Sequence, residues 1–129
     1  MRRNSGFTLV EIMIVLTLIG LLAVMAVPAF IKVRAASAEK TIINDGRQLG
    51  SAFSQYFLEY GQESVDAAEM MGSEAYVKNI SPNNRVITQS GDSTYNQGET
   101  FMIENNLYGQ IVFNEDGSIF EKKPGVLTE

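Results

Sequence analysis

From Phe7 to Ile31 the chain is apolar almost without a break, and residues 12–31 carry no ionisable side chain. Twenty helical residues at 1.5 Å each reach ~30 Å, the thickness of a bilayer core. A helix of that length, apolar on every face, needs a larger core than this chain can build, so the run reads as a transmembrane helix rather than a buried one. Beyond Ile31 the pattern turns periodic. Ile42, Gly46, Leu49, Phe53, Tyr56, Phe57 and Tyr60 recur at steps of three and four, with Lys40, Asn44, Asp45, Arg47, Gln48, Ser51, Ser54, Gln55 and Glu59 between them. This predicts an amphipathic helix with an aromatic core face and a polar solvent face, stopped by Gly61. Ala35 to Ala38 read first as a good helix-forming stretch and second as a patch for close helix packing. A helix running from Phe7 to Tyr60 would be ~80 Å long, more than the remaining residues can cover, so its first half must meet lipid or sister subunits.

After Gly61 the elements become short. Residues 64–71 predict a small helix with Ser64 as N-cap, Asp66 in the first turn and Gly72 as the stop. Residues 85–89, 99–105, 110–114 and 118–122 are β-prone runs separated by turn signals, among them Asn105-Asn106 and Asp116-Gly117. The polar, glycine-containing segment 90–100 reads as an exposed loop. The economical fold is α+β, a long N-terminal α-helix with its amphipathic half packed on a small antiparallel β-sheet head.

Composition removes most chemistry. With no cysteine and no histidine, thiol nucleophiles, Ser-His-Asp relays, disulfides and Cys/His zinc sites are excluded. No phosphate loop or cofactor motif is present, and the scattered carboxylates read as a solvated surface, so neither an enzyme nor a cofactor is expected. The net charge of −5 is unevenly spread: Arg2, Arg3, Lys32 and Arg34 face only Glu11 in the first 34 residues, whereas residues 35–129 carry −8. Such a head is a poor surface for nucleic acid. Residues 114–118 could contribute to a calcium loop, but a hairpin through Asp116-Gly117 needs less and is preferred, with no metal site expected.

Glu11 is the residue out of place. A carboxylate at bilayer depth costs ~2.5–3.5 kcal/mol or more and needs a partner, a proton or the headgroup level. Just before it, the basic leader Arg2-Arg3-Asn4-Ser5-Gly6 joins the apolar run through a glycine. Cleavage between Gly6 and Phe7 would put a new α-amino group, of reference pKa ~8, one helical turn from Glu11. Gly6-Phe7-Thr8-Leu9-Val10-Glu11, followed by a long apolar segment, resembles the class III signal of type IV pilins and of the pseudopilins of type II secretion systems.

The resemblance implies a leader 1–6 cut after Gly6 by prepilin peptidase, N-methylation at Phe7, and assembly through Glu11 pairing with a neighbour's N-terminus. It divides the rest into a transmembrane half, 7–31, an amphipathic half, 32–60, and a head, 61–129. Gly20 and Pro28 stand where the family carries helix-weakening residues. Locally, Gly20 costs ~1 kcal/mol against alanine and Pro28 removes a helix donor. The implied function is a structural filament subunit, with a type II secretion pseudopilin preferred and a surface pilin for adhesion or motility as the alternative. Implied partners are like or unlike pilin-like subunits, the peptidase and methyltransferase, an inner-membrane assembly platform and lipid. The chain would cross the bacterial inner membrane once, N-terminus cytoplasmic and head periplasmic, an orientation that Arg2 and Arg3 favour and Lys32, Arg34 and Lys40 oppose. Two other readings stay open: a signal peptide removed after Ala26 or Ala38, and a monomeric single-span or secreted binding protein.

Overall fold

The computed structural model describes residues 6–72, 75–91 and 93–125. Arg2, Arg3 and the rest of the leader before Gly6 lie outside the described residues. The chain divides into two units, Met1–Arg34 and Ala35–Glu129. Helix α1, Leu9–Tyr60, contributes to both.

In the first unit every described side chain from Gly6 to Arg34 is exposed, including the aliphatic ones around the whole circumference of α1. Its apolar surface therefore has no partner within the unit.

The second unit is α+β. Behind its part of α1 come β1 (Ser64–Asp66), β2 (Asn84–Thr88), β3 (Thr94–Asn96), β4 (Phe101–Asn105), β5 (Gly109–Phe113) and β6 (Ile119–Pro124). Four strands form an antiparallel sheet in the order β2-β4-β5-β6, and β1 pairs with β3 in a separate antiparallel ribbon. Strand periodicity sends Phe101 and Ile103 of β4, with Ile111 and Phe113 of β5, to one face. There they meet Ile42, Leu49, Phe53 and Phe57 of α1 in one buried cluster. The helical periodicity thus marks a face that a sheet covers.

Two glycines set how closely sheet and helix approach. A Cβ on Gly46 would stand 2.3 Å from the Phe113 ring, and one on Gly50 would stand 2.3 Å from the backbone nitrogen of Gly117. Four residues apart, they form a smooth strip on which the β5–β6 hairpin lies. Gly61 ends α1 at φ +61°, its N–H donating to the Phe57 carbonyl at 3.0 Å.

Four local expectations are corrected. Residues 64–71 are not a helix: β1 takes up Ser64–Asp66 because Val65 pairs with Tyr95, and a turn follows in which the Asp66 carboxylate accepts from the Ala68 N–H at 2.8 Å. Segment 90–100 is not simply an exposed loop, since it contains β3 and the fully buried Tyr95. Asp45 leaves the solvent face and is buried, accepting from the Ser81 N–H at 2.9 Å and the Asn84 amide at 2.7 Å. Asn84 in turn accepts from Asn105, whose own carbonyl takes the Leu107 N–H, so the buried polar groups satisfy one another. Tyr60, expected on the core face, is 57% exposed: it is the last residue of α1, and its ring lies 4.8 Å from that of Tyr56 on the same helix.

Tyr95 also makes the head sensitive to alkali. Burial, reinforced by the Glu115 and Glu99 carboxylates, pushes its phenol above the ordinary tyrosine range. The folded state therefore holds this proton more tightly than the unfolded chain does. Stability from this group is fully present below pH ~10, where unfolded tyrosine is protonated, and is lost as pH rises towards the folded value. Thermal melts of the full chain in detergent should fall steadily above pH 10, and Tyr95→Phe should flatten that fall. An unchanged slope in the variant would remove Tyr95 as the cause.

Candidate functional site

The residues singled out by the sequence lie in the first unit, at and just after the start of α1. Gly6, Phe7 and Thr8 precede the helix, and Phe7 is 87% exposed. The bond between Gly6 and Phe7 therefore stands outside helical hydrogen bonding. Packing among the described residues does not demand glycine at position 6, since a Cβ there would meet no atom within 4 Å.

Thr8 is the N-cap of α1. Its carbonyl accepts from the Ile12 N–H at 3.4 Å, and its hydroxyl accepts from the Glu11 N–H at 3.2 Å. Glu11 reaches back in return. Its Oε2 accepts from the Thr8 N–H at 2.8 Å and from the Thr8 hydroxyl at 2.9 Å. This reciprocal pair is a capping box, which satisfies two donors at the helix start and places a negative charge at the positive end of the helix dipole. Sequence reasoning missed Thr8. The signal was there, since Thr8-Leu9-Val10-Glu11 before an apolar run is the Ser/Thr-x-x-Glu pattern.

Gly20 and Pro28 are not brought to this site. Gly20 lies nine residues beyond Glu11, ~13 Å along the axis, and a Cβ on it would meet nothing within 4 Å. Pro28 lies inside α1, which continues through it. Between the capping box and Gly20, the Thr17 hydroxyl donates to the Met13 carbonyl at 2.8 Å, a back-bond of the kind that bends helices slightly. At the far end of the unit the Arg34 guanidinium lies 5.6 Å from the centroid of the Phe30 ring.

In the head, segment 114–118 is the hairpin turn joining β5 and β6. The Asn114 N–H donates to the Ser118 carbonyl and the Gly117 N–H to the Asn114 carbonyl, both at 2.9 Å. Asp116 accepts from the Ser118 N–H at 2.8 Å, and hydrogen bonds from Ser118 hold its carboxyl below the usual carboxylate range. These groups close the hairpin itself, while Glu115 Oε2 accepts from the Gly98 N–H at 2.7 Å. Across the head, Lys122 of β6 pairs with Glu39 of α1 at 2.7 Å, which raises the lysine's affinity for its proton.

Residues 1–27 match the family model described as the prokaryotic N-terminal methylation motif. A fimbrial protein of Neisseria meningitidis serogroup B is 35% identical over 93 residues, covering 66% of this chain and 54% of the relative. The type IV major pilin protein PilE1 of Neisseria gonorrhoeae is 31% identical over 125 residues, 90% of this chain and 67% of the relative. The type IV major pilin protein PilA of Myxococcus xanthus is 41% identical over 68 residues, 53% of this chain and 31% of the relative. The chain thus spans little more than half the length of the meningococcal relative. No solved structure matches it. These relatives are pilin subunits and not enzymes. The gonococcal match extends over most of both chains, well beyond the apolar helix, and on that ground the chain belongs to the type IV pilin-like family.

Proposed function

We propose that the protein is a structural subunit of a type IV pilus-like filament, made as a membrane-inserted precursor and assembled through the first half of α1. The observation that carries this reading is the capped start of α1, where Glu11 stands at the head of a helix whose apolar side chains are exposed all round as far as residue 34. Such a surface is stable only in lipid or against copies of itself, and a lone carboxylate in either setting calls for a cationic partner. Cleavage after Gly6 supplies one, the α-amino group of Phe7. A glycine with open space where a Cβ would stand fits recognition by an external peptidase, which would also methylate Phe7.

The relatives named type IV major pilins favour a surface fibre over a secretion pseudopilin. Absent cysteines and a small head are the features that fit a type II secretion pseudopilin instead. Under either assignment the chain crosses the inner membrane once, N-terminus cytoplasmic and head periplasmic, and is drawn from it by an assembly platform.

Intact-mass and N-terminal analysis of protein from native-host membranes tests the pathway. A chain beginning at Phe7 with one added methyl group is expected. A chain beginning near Val27 or Glu39 would mean removal of an ordinary signal peptide and would end the filament reading. Electron microscopy of a deletion strain then separates the tasks: loss of surface fibres supports the pilin, and retained exoprotein with intact fibres supports the pseudopilin.

A further inference from the structure

We propose that Thr8 is a positioning residue for subunit assembly, holding the Glu11 carboxylate by one oxygen so that the other is presented to the N-terminal ammonium of a second copy of the chain. The inference rests on the filament reading above and concerns the same site.

An exposed glutamate samples many rotamers, and binding through it means ordering three torsions. Glu11 is exposed yet already ordered. Three hydrogen bonds join it to Thr8: two from Thr8 donors into Oε2, at 2.8 and 2.9 Å, and one from its own N–H to the threonine hydroxyl, at 3.2 Å. The hydroxyl is both acceptor and donor in this exchange, which alanine or valine at position 8 could not reproduce. Among the described residues, Oε1 accepts no hydrogen bond. The carboxylate is thus divided into a held oxygen and a free one, both at the rim of the helix rather than along its side.

In a medium without water, the free oxygen is an unmet demand for a donor, and an ammonium meets it with a charge-assisted bond. Holding the carboxylate beforehand lowers the entropy lost when that bond forms, which is the general gain of preorganisation.

The alternative is that Thr8 only caps the helix. Glycine separates the two roles, because at an N-cap it costs the helix only a few tenths of a kcal/mol relative to threonine but supplies no hydroxyl. Thr8→Val, Thr8→Gly and Thr8→Ser would be expressed as full-length precursors in the native host. Leader removal and methylation would be read by intact mass, and assembly as the fraction of subunit in sheared filaments.

All three variants are expected to mature normally. Thr8→Val and Thr8→Gly should lose ~2- to 10-fold in incorporation, the factor that corresponds to immobilising one side chain, and Thr8→Ser should restore it. Full incorporation of Thr8→Val, or of Thr8→Gly alongside a defective Thr8→Val, would overturn the positioning role. So would a variant that keeps its leader, since Thr8 would then act on processing. If the wild-type chain keeps residues 1–6, the filament reading itself fails and this inference with it; if Glu11→Leu assembles normally, the pairing of Glu11 with an N-terminus fails and takes this inference with it, while the filament reading stands.

Discussion

Glu11→Leu is expected to enter the membrane, lose its leader and then fail to join filaments. Insertion should survive because the substitution removes the only ionisable group between Phe7 and Ile31 and replaces a residue costing ~2.5–3.5 kcal/mol at bilayer depth with a favourable one. Assembly should not survive, because on the proposed pairing the change deletes one member of a desolvated ion pair and leaves the neighbour's ammonium without a partner. Breaking such a pair costs ~3–5 kcal/mol, roughly 10²- to several 10³-fold in the incorporation equilibrium at each contact. The loss of the capping box adds a smaller cost at the helix start, ~1 kcal/mol. Quantifying the variant in sheared filaments and in membranes checks this. Wild-type incorporation would sink the pairing of Glu11 with an N-terminus.

The second large effect is expected in the head. Tyr95→Ala should destabilise it by ~3–5 kcal/mol, the range for removing a large buried ring. Tyr95 is fully buried, stacks on Phe53 with ring centroids 4.1 Å apart, and lies edge-on to Phe101 at 5.8 Å. Phe101 in turn stacks on Phe113, so one ring on the small ribbon is continuous with the aromatic layer between α1 and the sheet. The Tyr95 hydroxyl also donates to the Glu99 carbonyl at 2.7 Å. Set against a typical domain stability of 5–15 kcal/mol, the loss is about a fifth or more. Tyr95→Phe, which keeps the ring and removes only the hydrogen bond, should cost ~1 kcal/mol. Denaturant unfolding of the full chain in detergent, followed by near-ultraviolet circular dichroism, measures both. A Tyr95→Ala loss below about 1 kcal/mol would mean that the ribbon is not part of the cooperative unit.

These two residues mark how far the chain could be read in advance. Glu11 was conspicuous because it breaks an apolar run, and a single misplaced charge is a local signal. Thr8, its hydrogen-bond partner, was equally local but was passed over, although the capping pattern needs only a four-residue window. Tyr95 had no such signal. It sits alone among polar residues and glycine in segment 90–100, and only its pairing with Val65, thirty residues earlier, makes part of that segment a strand. The same pairing turns Ser64–Asp66 from a helix start into β1. Asp45 follows this logic: by periodicity it belongs with the polar residues of α1, yet the Ser81 N–H and the Asn84 amide arrive from distant parts of the chain and make its burial tolerable.

What the sequence determined by itself was whatever depends on neighbours along the chain: the apolar helix of bilayer length, the amphipathic continuation with Ile42, Leu49, Phe53 and Phe57 on one face, the glycine stop, and the hairpin at Asp116-Gly117. Helical and hairpin hydrogen bonds close over a few residues, so their pattern is written locally. The tertiary structure alone decided the β1–β3 ribbon, the burial of Tyr95 and Asp45, and the close seating of the β5–β6 hairpin on Gly46 and Gly50. Each of these depends on groups far apart in sequence meeting in one place, and the free energy that selects them exists only once the core has formed.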